Sequence, residues 1–265
     1  MNKIVLVLGG HGFIGKAIVK ELRKHGHEVI IGTRAHDRSL RPGERRIKFH
    51  TACADQWNSL LNGCDVVINA VGILRQRWRE SYEQVHHNAV HMLANSCQQN
   101  DIRLIHVSAL GLDADVKSRF LKSKRLGERA IKQSKGNWLI VRPSLLEGND
   151  GYGARWFRKI AQWPIHCTPA NAKGRIAPLH VNKLAESIVI LVNSNNSQEV
   201  HEYGGEHIFT FKSYLNHLAK KKPILHFSMP GILVRMVSHL FDLLHITPLS
   251  FGHYELMLSD NLPSQ

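Results

Sequence analysis

Gly9, Gly10, Gly12 and Gly15 crowd into the stretch "VLGGHGFIGKAI" (7–18), between an apolar run and a helix-like pattern. Gly10 to Gly15 reads G-x-G-x-x-G, and Gly9 extends it to G-x-x-G-x-x-G. Glycines at this spacing allow a tight turn and close backbone approach, and a helix N-terminus that follows faces its free amides toward phosphate. Because the motif follows "KIVLVL" and opens a helix, it is read as a dinucleotide cradle, with Gly9, Gly12, Phe13, Ile14 and Gly15 against the cofactor. The second strand ends "IIGTRAHDR". Folds of this kind hold the ribose 2′-hydroxyl of NAD with an acidic residue at that place, whereas this chain has Thr33 and Arg34, with Arg38 close by. A guanidinium there suits a 2′-phosphate, so NADP(H) is expected over NAD(H). His87 and His91 stand four apart on a helix and could chelate, but no third ligand falls at metal spacing, so no metal is expected.

The elements that must carry this motif are legible in the hydrophobic pattern. "KIVLVLG" (3–9), "HEVIIG" (27–32), "RIKFH" (46–50), "DVVINAVG" (65–72), "RLIHVSA" (103–109) and "WLIVRPS" (138–144) read as strands. Several are continuously apolar, as strands covered on both faces are. Residues 14–25 form an amphipathic helix stopped by Gly26, and 81–99 and 118–134 are longer helices. Strand and helix in alternation give an α/β fold, a doubly wound parallel sheet of Rossmann type. The pattern loosens after Pro143, where a loop ("EGNDGYG"), helices over 153–163 and 183–193, and a strand ("HIFTF") are expected. Residues 1–150 are assigned to the dinucleotide-binding domain and 151–265 to a smaller mixed α/β region for substrate or partner.

The 265 residues suffice for one full core, and the short apolar start resembles no signal peptide. Cys53, Cys64, Cys97 and Cys167 are scattered, which fits reduced thiols in the cytoplasm. The net charge of +14 attracts polyanions, yet the basic residues are spread along the chain. No aromatic-rich or helix-turn-helix signature accompanies them, so no specific nucleic acid is expected. The stretch 229–246 carries an apolar stripe of Ile232, Leu233, Met236, Val237, Leu240, Phe241 and Leu244, interrupted by Arg235, His239 and Asp242. It is a core-facing helix, or else one lying on an anionic membrane or a membrane complex, not a membrane span.

"GGHGFIG", "DVVINAVG", "IRLIHVSALG", "FLKSKRLGE" and "LIVRPSLLEG" occur in the order found in atypical and extended short-chain dehydrogenase/reductases, which the chain resembles. More narrowly it is similar to the family of the NADPH-binding accessory subunit of respiratory complex I and its bacterial relatives. That narrower match extends to "IAPLHVNKLAESI", "YGGEHIFTF" and "LSFGHYELMLSDN". The resemblance implies that Ala70, Val71 and Gly72 pass beside the cofactor and that Pro143 and Ser144 line its nicotinamide end. It implies a supporting role in proton relay for Asn88, polarisation of a substrate oxygen by Ser108, and a ribose contact for Lys124.

Two places depart from the family. The expected Y-x-x-x-K is Phe120-Leu121-Lys122-Ser123-Lys124, and phenylalanine has no proton to give. Loss of a positioned acid costs about 10²–10⁴ in rate. "HTACAD" offers no clear adenine contact either, since Asp55 falls late in the run. Two readings stand at this point. One is an oxidoreductase acting on a small carbonyl, quinone-like or nucleotide-sugar substrate. The other is a non-catalytic NADPH-binding sensor, assembly factor or structural subunit.

Overall fold

The computed structural model describes residues 2–34, 42–47, 54–76, 80–112, 116–219, 224–244 and 251–264. In chain order the first elements are β1 (Ile4–Leu8), α1 (Phe13–Lys24), β2 (Glu28–Arg34), β3 (Glu44–Ile47), α2 (Ala54–Leu61) and β4 (Val66–Asn69). A π-helical turn (Gln84–Asn88) leads into α3 (Ala89–Gln99), followed by β5 (Arg103–Val107), α4 (Arg119–Gln133) and β6 (Trp138–Pro143). Then come β7 (Leu146–Glu147), α5 (Tyr152–Ala161), β8 (Ile165–Pro169), β9 (Arg175–Ile176), β10 (Leu179–His180) and α6 (Val181–Asn193). The chain finishes with β11 (Glu199–Tyr203), β12 (Phe209–Thr210), α7 (Phe211–Leu218), β13 (Leu225–Met229), α8 (Gly231–Leu244) and α9 (Phe251–Leu256).

These elements fall into two compact units, and the chain crosses between them several times. The first holds residues 1–109, 123–142 and 181–201. It is built on a seven-stranded sheet of order β11-β6-β5-β4-β1-β2-β3, parallel from β3 through β6. The order reverses beside β1, between β2 and β4, which is the switch point of a doubly wound fold. Val5 to Leu8, Val66 to Ile68 and Leu139 to Val141 are almost wholly buried, as unbroken apolar strands require. Trp57, Leu61, Leu93 and Ile131 complete a core on one side of the sheet.

The stop read at Gly26 is a left-handed C-terminal turn: φ is +78°, and the His27 amide reaches back to the Leu22 carbonyl. The helix over 81–99 opens with the π turn instead of running as one regular helix. The units do not divide at residue 150. Helix α6 packs on α1 and β11 extends the sheet beyond β6, so residues 181–201 belong with the nucleotide-type sheet. Arg103 fastens this return, donating to the carbonyls of Leu191, Ser194 and Asn196.

The second unit holds residues 110–122, 143–180 and 202–265. It has three small strand pairs, β7 with β10, β9 with β12 and β8 with β13. Phe157, Phe211, Tyr214 and Met257 form its core. The strand read over 207–211 is shorter, because Thr210 caps α7 in a reciprocal capping box with Ser213.

Candidate functional site

The glycine turn has the geometry of a phosphate cradle. Gly9 adopts φ +77°, and a Cβ on it would stand 3.1 Å from the Ala70 carbonyl oxygen and from a Val71 methyl. A Cβ on Gly15 would fall 2.1 Å from the Gly9 carbonyl oxygen, so the helix is locked against the turn. Gly12 is the N-cap of α1, with no side-chain capping bond and no acidic residue in the first turn. The helix start, with Phe13 and Ile14 in its first turn, thus presents backbone amides and positive dipole to an anion. At the end of β2 the Thr33 hydroxyl is buried and has no hydrogen-bond partner. An orphaned hydroxyl next to this turn is what a bound ribose would satisfy, and the residues present fit a dinucleotide. Arg34 ends β2, but its side chain, like Arg38, lies outside the described residues. Asp55 has its backbone in α2, and its side chain is likewise outside them.

Beyond β4 the chain is pinned residue by residue. The Ala70 amide donates to the Leu8 carbonyl, the Val71 amide to Asn69 Oδ1 (3.1 Å) and the Ile73 amide to His86 Nε2 (3.1 Å). Because its oxygen accepts from Val71, Asn69 presents its NH₂ to His106 Nδ1 at 3.1 Å. His106 Nδ1 is therefore an acceptor, and its imidazole is neutral. Burial, reinforced by the positive charge of Lys124, lowers His106 to about 3. His86 is held neutral in the same way, by burial first and then by Lys124 and His106. Its Nδ1 lies 3.0 Å from Ser123 Oγ, and its ring stacks on Tyr82.

Strand β5 alternates, so Ser108 just past its end shares a face with His106. The Ser108 hydroxyl is buried and unpartnered. On α4, Phe120 and Lys124 are one turn apart. Phe120 is buried, and a Cβ on Gly252 would meet its ring at 3.1 Å. Burial pulls the Lys124 ammonium down to about 8, while Glu128 acts in the opposite direction. Glu128 in turn is gripped by Arg142, with Nη2 at 2.6 Å and Nε at 3.0 Å.

The residues named by the resemblance fall in both units. Ser108 and Lys124 belong to the first unit with the buried histidines. Asn88 is exposed at the end of the π turn; His86, two residues earlier, is the side chain turned inward. Pro143 and Ser144 belong to the second unit. The Ser144 hydroxyl is committed there, donating to the Asn261 carbonyl and accepting from the Ala177 amide. His91 bonds Asn95, and no group of three metal-ligating side chains occurs among the described residues. Sequence reading missed Asn69, His86 and His106. The alternation of "RLIHVSA" already sets His106 beside Ser108, and helical spacing sets His86 on the buried face of Tyr82, Ala89, Val90 and Leu93.

The fold and the cradle define a class, the dinucleotide-binding Rossmann proteins. Residues 9–161 match the NAD(P)H-binding family, and the chain belongs to it. It is 28% identical over 223 residues to the mitochondrial NADH dehydrogenase [ubiquinone] 1 alpha subcomplex subunit 9 of Dictyostelium discoideum, covering 80% of this chain and 62% of that protein. It is 26% identical over 192 residues to the ceramide reductase of Caulobacter vibrioides, covering 70% and 60%. The chain thus spans about three fifths of the length of these relatives. In fold it is similar to MoeE5 in complex with UDP-glucuronic acid and NAD, with a TM-score of 0.66 at 17% identity, over 85% of this chain and 86% of that one.

Proposed function

We propose that the protein is an NADP(H)-preferring reductase of short-chain type in which Lys124 stands in for the missing tyrosine as proton donor. The observation that carries this reading is Ser108, a buried hydroxyl with no partner on the strand face shared with His106. A bound nicotinamide would supply hydride. Ser108 would donate to the substrate oxygen, and Lys124, lowered to about 8, would release a proton near neutral pH and recover it from water. Gly9, Gly12, Phe13, Ile14 and Gly15 would hold the pyrophosphate, and Ala70 to Gly72 would line the cofactor. Arg34 would take the 2′-phosphate.

The test is NADPH oxidation against a panel of small ketones, quinones, nucleotide sugars and, following the Caulobacter relative's name, ceramide-class lipids. Turnover that disappears in Lys124→Met supports the reading. Tight NADPH binding without turnover on any of them would establish the second reading, a non-catalytic NADPH-binding subunit, which Phe120 favours. Nucleotide titrations of Arg34→Ala decide the cofactor: unchanged discrimination between NADPH and NADH removes the preference for NADP(H).

A peripheral membrane position is part of the same reading, with the bulk of the protein in the cytoplasm. Helix α8 exposes Ile232, Leu233 and Met236 alongside Arg235. In the same unit the β8–β13 pair exposes Ile165, Leu225 and Phe227. No helix among the described residues is long and apolar enough to cross a membrane. Apolar side chains on a basic protein suit an anionic bilayer surface or a membrane complex. Co-sedimentation with anionic liposomes, lost in Ile232→Asp/Met236→Asp, is the expected result, and no binding at low or high salt overturns it.

A further inference from the structure

We propose that His86, as a neutral imidazole of fixed tautomer, positions the Ala70–Ile73 segment against helix α4 and thereby sets nucleotide affinity. The inference rests on the reading that Ala70 to Gly72 line the dinucleotide. Its basis is geometric. His86 Nε2 accepts the Ile73 amide at 3.1 Å, so that nitrogen carries no hydrogen. The ring proton of a neutral imidazole is then on Nδ1, which donates to Ser123 Oγ at 3.0 Å. One side chain therefore ties the strand-end segment to the residue immediately before Lys124.

The surroundings hold this arrangement in place. A Cβ on Gly127 would fall 2.0 Å from the His86 carbonyl oxygen, so glycine at that position lets α4 close on the π turn. Tyr82 stacks on the ring with centroids 5.6 Å apart, and its hydroxyl donates to the Leu74 carbonyl at 3.0 Å. The charged and titratable groups around the imidazole are Lys124 from α4 and His106 from β5, both of which oppose a second proton on it. A π turn inside a helix costs regular hydrogen bonding, and such turns gather at functional sites. Here the turn holds the buried His86, on the same face as Tyr82, Ala89, Val90 and Leu93.

His86 is a positioning residue, and its test separates position from bulk stability. His86→Gln can accept from Ile73 with its amide oxygen and donate to Ser123 with its NH₂; His86→Leu can do neither. NADPH and NADH dissociation constants, with thermal melting in parallel, should show His86→Leu weakened by about tenfold or more and His86→Gln within about threefold of the wild type. Equal affinity in the leucine variant and the wild type would overturn the proposal. Should the leucine variant not fold, Ser123→Ala, which removes the hydroxyl that Nδ1 meets, carries the test. A severalfold loss supports the proposal, and wild-type affinity sinks it. Nitrogen-15 spectra of the imidazole give a reading independent of cofactor: a Nδ1-protonated neutral ring is expected, and a Nε2-protonated ring refutes the assignment. If no nucleotide binds at all, the cofactor reading fails. The tautomer and the exchange rate of the Ile73 amide, slow in wild type and faster in His86→Leu, then still decide whether His86 pins the segment.

Discussion

Arg142 on β6 and Glu128 on α4 meet at 2.6 Å with both side chains almost fully buried. Removing one partner of such a pair strands the other charge in the interior. Glu128→Gln is therefore expected to destabilise the protein by about 3–5 kcal/mol in denaturant titration. It also withdraws the negative charge that supports the Lys124 ammonium, so Lys124 should titrate below its value of about 8. A variant in which the Lys124-dependent pH profile does not move toward acid would break the link between the two.

Lys124 itself predicts a direction for activity with pH. An acid must be protonated to act, so reduction should slow as pH rises through about 8. Lys124→Arg keeps the charge but holds its proton, and should bind nucleotide while losing turnover. An arginine variant that turns over like the wild type would show that the proton comes from elsewhere.

Phe120→Tyr tests the departure from the family directly. If the site is a reductase site short of its usual acid, the new hydroxyl should raise turnover, up to the roughly 10²–10⁴ that a positioned donor contributes. The ring packs tightly beside Gly252, so melting temperature should be followed alongside the rate. A folded variant with unchanged turnover would argue that Lys124 already meets the need for a proton.

His106 makes stability fall on the acid side. Its folded value of about 3 lies below the ordinary 6.5, so the unfolded chain binds the proton first. The stabilisation is complete above pH 6.5 and is lost as pH falls toward 3, by roughly 4–5 kcal/mol in the limit. His106→Gln should flatten this part of the stability profile, and an identical slope in the variant would refute the assignment.

Gly15→Ala probes the cradle. Its new methyl would lie 2.1 Å from the Gly9 carbonyl oxygen, so the turn and the helix start must separate. NADPH affinity should drop at least about tenfold, or ~1.4 kcal/mol. Wild-type affinity would mean that the turn does not hold the phosphates.

The cradle and the sheet were legible because each rests on local chemistry: glycines where a Cβ cannot fit, and apolar runs where both strand faces are covered. Gly9 and Gly26 adopt positive φ, and Gly15 stands where a Cβ would strike the Gly9 carbonyl oxygen. The buried network was not legible, since it depends on contacts between segments far apart in sequence. Asn69 and His106 meet only because β4 and β5 are paired in register. His86 shares the buried helix face of Tyr82, Ala89, Val90 and Leu93, but which groups it meets, the Ile73 amide and the Ser123 hydroxyl, depends on segments far away in sequence. The resemblance implies Ser144 beside the cofactor; its hydroxyl bonds to Ala177 and Asn261, from later parts of the chain.

Residues 181–201 are the last piece of the sheet unit to be made, after an excursion through β7 to β10. During synthesis the first 142 residues emerge with one flank of α1 uncovered and β6 at an open edge, a state that exposes apolar surface and unpaired amides. Helix α6 then covers α1, the helix that the turn at residues 9–15 opens, and β11 closes the edge at β6. A nascent chain stalled before Val181 should be a client for chaperones, whereas one stalled beyond His201 should already resist proteolysis in its nucleotide-type unit.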